Sequence, residues 1–157
     1  MASEVHRYYG NKIRVRVCGL CTVGEKMLLI NHRGVTDTNF WAPPGGGLNF
    51  EEPAESCLKR EFLEETGLQI EVRDFLFVCE FIRAPLHAVE LFFRVDQIAG
   101  QPETGHDPEY GSPSIIKEVK FKSWTEIAAI PSAEVHGIFR FAGHPFKVDK
   151  LRGFFKL

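Results

Sequence analysis

The sequence predicts an α/β chain, a sandwich of helices about a central mixed β-sheet. Three features point there: apolar residues alternate with polar ones before residue 33 and again beyond residue 68, one amphipathic helix lies between, and two further helical patterns follow residue 123. A length of 157 residues suits one domain spanning 1–157, large enough to bury roughly two thirds of its unfolded surface.

The first strand reads from the alternation of Ile13, Val15 and Val17 against Arg14 and Arg16 and runs on through Cys18 and Cys21. Residues three apart on a strand point to opposite faces, so Cys18 and Cys21 cannot share a metal, and buried reduced thiols are the expectation for all four cysteines. Gly24-Glu25 turns the chain into a second strand, Lys26–His32. After a polar connection, Phe40 to Pro44 runs extended into Gly45-Gly46-Gly47, because each proline disfavours helix in the residue before it. Trp41 there reads as an anchor rather than a base-stacking group.

Ala54 to Thr66 is the predicted helix, with Pro53 at its first position and Gly67 as its stop. At about 100° per residue, Ala54, Cys57, Leu58 and Phe62 form one apolar stripe. Glu61 and Glu65 fall on that same stripe, Glu64 lies at its margin, and Glu55 and Lys59 pair on the wet side. Like charges gathered at a helix C-terminus, which is itself partly negative, call for cations. An all-oxygen donor set without Cys or His favours Mg²⁺, with Mn²⁺ as a substitute, over zinc. The glycines let a main-chain carbonyl and phosphate oxygens approach.

Beyond the helix, Leu68 to Ile82 and Ala88 to Val95 read as strands around a turn at Ala84 to His87. Gln97 to Ser114 is a long connection rich in Pro, Gly and acid, of the kind that is either a functional lid or disordered, and it carries Glu103, Asp107 and Glu109. A strand at Ile115 to Lys122 is followed by predicted helices at Trp124 to Ile130 and Pro131 to Gly143. The tail from His144 mixes Phe with Lys and Arg, which suits packing or a homodimer contact on one reading and phosphate or base recognition on another.

The segment Gly46 to Leu68 matches the Nudix box, with Gly46, Glu52, Arg60, Glu61, Phe62, Glu64, Glu65, Gly67 and Leu68 in the fixed places, and so resembles the Nudix hydrolases. The resemblance implies the Nudix-like α/β/α sandwich and hydrolysis of a pyrophosphate bond in a nucleoside diphosphate linked to another group. It assigns Glu61, Glu64 and Glu65 to the ions with the Gly45 carbonyl as a further ligand, and has Arg60 orient the glutamates together with Glu52. Glu64 or Glu61 is the first choice of general base, with Glu118 and Glu109 as downstream candidates. Arg33, Arg16 and Arg14 are candidates to hold outer phosphates or ribose, against a plain role as surface charge.

Nucleoside triphosphates, ADP-ribose or nucleotide sugars, and dinucleoside polyphosphates are the substrates the resemblance allows. Pro85, 17 residues past the box, is near the place where a proline accompanies ADP-ribose hydrolysis in that family. The alternative is a silent Nudix domain acting as a nucleotide-metabolite sensor, against which the intact glutamate set argues. With 44% hydrophobic residues, 25% charged and a net charge of −2, the composition has no overall basic bias toward nucleic-acid polymer or membrane, and the resemblance implies a small-molecule nucleotide as partner. The first residues lack the apolar core of a signal peptide, so a cytoplasmic address is expected.

Overall fold

The computed structural model describes residues 6–7, 9–33, 38–105 and 115–157. Its sheet is organised on β1 (Arg14–Val23), whose residues 17–21 are all buried because both faces of this strand are covered. β1 runs parallel to β6 (Leu86–Ala99), which is antiparallel to β5 (Gln69–Arg83), and β8 (Gly153–Lys156) adds to β5 in parallel. On its other side β1 pairs antiparallel with β4 (Gly45–Gly47) and, at Thr22 and Val23, with β2 (Lys26–Arg33). β2 is flanked by β3 (Asn39–Ala42) and β7 (Ile116–Ser123), both antiparallel to it. The mixed sheet therefore has two halves sharing β1, and the α/β fold is as expected.

One layer over the sheet is α1 (Ala54–Thr66). Pro53 is its N-cap rather than its first helical residue, extended at ψ 143°, and Gly67 closes it in the left-handed conformation at φ 72°. The helix packs Cys57, Leu58 and Phe62 against Val17, Cys21, Leu28 and Val95. Cys18 lies in the core on the opposite face with Leu20, Leu29, Phe77 and Phe92, so the two cysteines do point apart, and all four cysteines are buried and unpaired.

The second layer departs from expectation. Trp124 opens only a five-residue helix, α2 (Trp124–Ala128), closed at its start by a capping box between Ser123 and Glu126. Pro131 to Gly143 is not a helix but 3₁₀ turns at Ser132–Glu134 and Gly137–Arg140. Val135 bridges to Trp41 as extended chain and the His136 ring accepts the Ile138 N–H, both of which interrupt helical hydrogen bonding. The tail packs: Val148 is fully buried and Phe155 of β8 stands edge-on to Phe77 at 5.8 Å. No helix among the described residues is long and apolar enough to cross a membrane.

Gly19 faces Phe62, and a Cβ there would come within 2.6 Å of the ring. Gly19→Ala should lose about 1–3 kcal/mol in denaturant unfolding, and Phe62→Leu in the same chain should recover part of that loss. Strictly additive losses in the double variant would mean that the two sites do not touch as described.

Candidate active site

Helix α1 places two carboxylates where apolar side chains belong. Glu61 is 2% exposed and Glu65 is 1%, whereas the Glu64 side chain is 28% exposed. The helix has no basic residue in its last turn to offset its own partial charge.

Compensation comes from outside that turn. Arg60 holds Glu52 with a two-pronged contact, Nε to Oε1 at 2.7 Å and Nη2 to Oε2 at 2.9 Å, while its Nη1 donates to Glu61 at 2.7 Å and to Glu64 at 3.3 Å. Its Nη2 also reaches the Gly47 carbonyl at 3.3 Å, so one guanidinium ties the glycine loop to the helix. Donation from Arg60 holds the Glu52 carboxyl at about 2, and the same contact raises Arg60 further above its usual range. Gly46 lies against Glu61, where a Cβ would fall 2.2 Å from the carboxylate carbon.

Glu65 is treated differently. Its Oε2 accepts the Gly45 N–H at 3.0 Å, and its Oε1 lies 3.8 Å from His32 Nε2 on β2. One neutral hydrogen bond is thin compensation for a buried carboxylate, which costs several kcal/mol unless paired. The carbonyl of Gly45 accepts Arg16 Nη2 at 3.0 Å. Arg16 Nη1 in turn donates to Glu90 at 3.0 Å, and the other Glu90 oxygen is 3.0 Å from His136 Nε2. Burial alone would push the Glu90 carboxyl up; His136, Arg16 and the Cys18 thiol outweigh it and hold Glu90 at about 2.

The carboxyl end of α1 is closed by the chain that follows β6. The N–H of Glu103 donates to the Thr66 carbonyl and that of Gly105 to the Glu65 carbonyl, each at 2.9 Å, beside the Gly67 N–H on Leu63. These satisfy carbonyls that a helix end leaves open. Gly105 is needed there, since a Cβ would fall 1.9 Å from the Glu64 carbonyl oxygen.

Of the residues singled out from sequence, Glu52, Arg60, Glu61, Glu64, Glu65, Gly45 and Arg16 come together. Arg16 engages the glycine loop rather than standing free for phosphate. Arg14 lies over the Tyr9 ring at 4.4 Å, Arg33 is exposed at the end of β2, and Glu118 is exposed on β7 opposite Asn31. Glu109 and Asp107 lie outside the described residues. His32, Glu90 and His136 were missed. For Glu90 a signal existed: it is in phase with Phe92 on an alternating strand, so an acid stands where the pattern asks for an apolar residue.

Among the described residues, no three His, Cys, Asp or Glu side chains already close around a point where an ion would sit. The donor set nevertheless suits a hard divalent cation, being carboxylate and carbonyl oxygen throughout, with Glu65 buried and under-compensated.

Comparison with known proteins bears on family and fold. The family model described as NUDIX domain matches residues 11–141. An ADP-ribose pyrophosphatase of Methanocaldococcus jannaschii is 34% identical over 95 residues, covering 59% of this chain and 56% of that protein. An RNA pyrophosphohydrolase of Bartonella clarridgeiae is 35% identical over 51 residues, covering 32% of this chain and 30% of that protein. The chain thus spans little more than half of the first relative and under a third of the second. The crystal structure of a MutT NUDIX hydrolase from Burkholderia pseudomallei superposes with a TM-score of 0.64 at 23% identity, over 77% of this chain and 88% of that one, a likeness of fold.

The Arg60–Glu52 contact has a defined pH signature. With its carboxyl at about 2 in the folded chain and 4.5 as the ordinary value, Glu52 contributes stability that is complete above pH 4.5 and lost as pH falls toward 2. Glu52→Gln should therefore cost about 2 kcal/mol at pH 7, with the difference from the parent protein shrinking across that acidic window in urea unfolding. A deficit that does not change with pH would mean that the carboxylate charge is not what Arg60 holds.

Proposed function

Because the chain belongs to the NUDIX domain family, we propose that it is a Mg²⁺-dependent hydrolase that cleaves the internal pyrophosphate bond of a nucleoside diphosphate linked to another group. The observation carrying this reading is the pair of nearly inaccessible carboxylates, Glu61 and Glu65, on the apolar stripe of α1, with Glu64 beside them at the solvent edge. Nothing in the packing of a core asks for them, and a sensor that only binds would not need three mutually repelling acids.

Glu61, Glu64, Glu65 and the Gly45 carbonyl would hold the ion. When bound, a divalent ion supplies charge neutralisation on the pyrophosphate and in-line positioning of the attacking water. The residues do the rest. Glu61 is pinned by Arg60 and walled by Gly46, whereas Glu64 has a longer contact to Arg60 and faces solvent, which favours Glu64 over Glu61 as the group that takes the proton from water. Arg60 and Glu52 act as positioning residues that keep the glutamates apart and aimed.

The names of both relatives carry pyrophosphate cleavage, which supports the bond broken more than the group beyond it. ADP-ribose and nucleoside triphosphates rank together as first substrates to try, ADP-ribose supported by the name of the first relative and by Pro85 in the turn between β5 and β6.

A nucleotide panel with and without Mg²⁺, read by phosphorus NMR, tests this. A triphosphate should give the monophosphate plus pyrophosphate, and ADP-ribose should give AMP plus ribose phosphate. Glu65→Gln or Glu64→Gln should reduce kcat by about a hundredfold or more while the fold stays intact. Direct release of orthophosphate from a triphosphate, with no activity on any diphosphate-linked compound, would end this reading.

A further inference from the structure

A buried hydrogen-bonded line runs from the 3₁₀ turns of the second layer to the box helix. The Ile138 N–H donates to His136 Nδ1 at 3.2 Å, His136 Nε2 meets Glu90 Oε1 at 3.0 Å, and Arg16 spans Glu90 Oε2 and the Gly45 carbonyl at 3.0 Å each. The Gly45 N–H then donates to Glu65 at 3.0 Å. Arg16, Gly45, Glu65, Glu90 and His136, on β1, β4, α1, β6 and the turn after α2, are linked along this line.

The polarity of the line follows from its end. Since a backbone N–H can only donate, His136 Nδ1 is the acceptor from Ile138, and Nε2 is the nitrogen that faces Glu90 as donor. Arg16 is the permanent cation on the Glu90 carboxylate. That cation is engaged by Glu90 and reaches Glu65 through the Gly45 backbone alone along this line.

The geometry is as specific as the charge. His136 and Glu90 are each 4% exposed. Arg16 is fixed by its fork, which one Glu90 oxygen and one carbonyl fill together. Gly45 lies so close to β1 that a Cβ would fall 2.3 Å from the Val17 carbonyl oxygen, so its peptide has little room to turn.

We propose that Glu90 and His136 are positioning residues that act through Arg16, holding the Gly45 carbonyl while Glu65 holds the Gly45 N–H, so that this carbonyl and the Glu65 carboxylate stay oriented toward one cation. The cation part rests on the divalent-metal reading above; the orientation of Gly45 does not. Arg16 is thereby a structural cation and not a holder of substrate phosphate.

The test uses the full chain and three variants, Glu90→Gln, Arg16→Lys and His136→Gln. Hydrogen exchange at the Gly45 amide, read in metal-free protein by nitrogen-15 NMR, should quicken about tenfold or more in Glu90→Gln and Arg16→Lys, while the amides of Leu28 and Leu29 keep their protection. Mn²⁺ affinity by electron paramagnetic resonance should weaken about 10–100-fold in the same variants, and kcat should fall while KM for the best nucleotide stays within about twofold. His136→Gln, able to donate to Glu90, should lie between these variants and the parent. If Glu90→Gln does not fold, Arg16→Lys at its half-buried site decides alone. Unchanged Gly45 exchange in a folded Arg16→Lys protein, or a raised KM with kcat intact, overturns the proposal. Quickened Gly45 exchange in a protein whose parent binds no Mn²⁺ would leave the positioning role standing and remove the metal reading instead.

Discussion

The structure depends on a single conflict: α1 carries carboxylates on the face that must also bury Cys57, Leu58 and Phe62. Burying a charge without a partner costs more than any one apolar contact returns. The chain answers with two arginines, used differently. Arg60 sits within the cluster and spreads its fork over Glu52, Glu61 and Glu64. Arg16 stays one step removed, with its charge matched by Glu90 and only its N–H reaching the loop. Glu65, between these arrangements, is the carboxylate left with a backbone N–H and a distant imidazole.

Glycine makes the arrangement fit. The last turns of α1 are approached by backbone from two directions, by Gly46 at the Glu61 carboxylate and by Gly105 at the Glu64 carbonyl, and a methyl group at either place would collide. The helix end is thus held from both sides by main chain, which has fewer ways to yield than side chains do. A site that must place carboxylates to within a fraction of an ångström is served by such walls.

Much of this was legible in the residues. The box helix, its glycine stop, the hairpin strands and the opposite facing of Cys18 and Cys21 follow from local periodicity and punctuation, and they stand within a residue or so. The helix read at Pro131 to Gly143 failed because its apolar spacing was helical while its hydrogen bonding was settled elsewhere, by the strand-like bridge of Val135 to Trp41 and by the His136 ring. No local pattern encodes a partner ninety residues away. His136 escaped for the same reason, and Glu90, although out of place on the apolar phase of its strand, gains a partner only when the parallel pairing of β1 with β6 sets Arg16 beside it. Glu52 and Arg60 were legible as a pair through the motif, but neither their two-pronged geometry nor the left-handed Glu51 just before Glu52, at φ 62°, is announced by residue type.

The exposure of the three glutamates divides the labour of the proposed reaction. An ion must be held by groups that do not wander, and Glu61 and Glu65, immobilised by burial and by contacts with Arg60 and Gly45, meet that need before any ligand arrives. A proton taken from water must afterwards leave to solvent, and a group sealed at 1–2% exposure would release it slowly. Glu64, on the same helix but turned to the margin of the stripe, has the exposure for that exchange and still lies within reach of Arg60. The helical repeat supplies this difference directly: residues 61 and 65 lie about 40° apart on one face, while residue 64 is rotated about 100° from 65 and about 60° from 61, toward solvent. One short run of sequence thus sets two buried carboxylates beside one at the solvent edge, the difference on which the proposed reaction would draw.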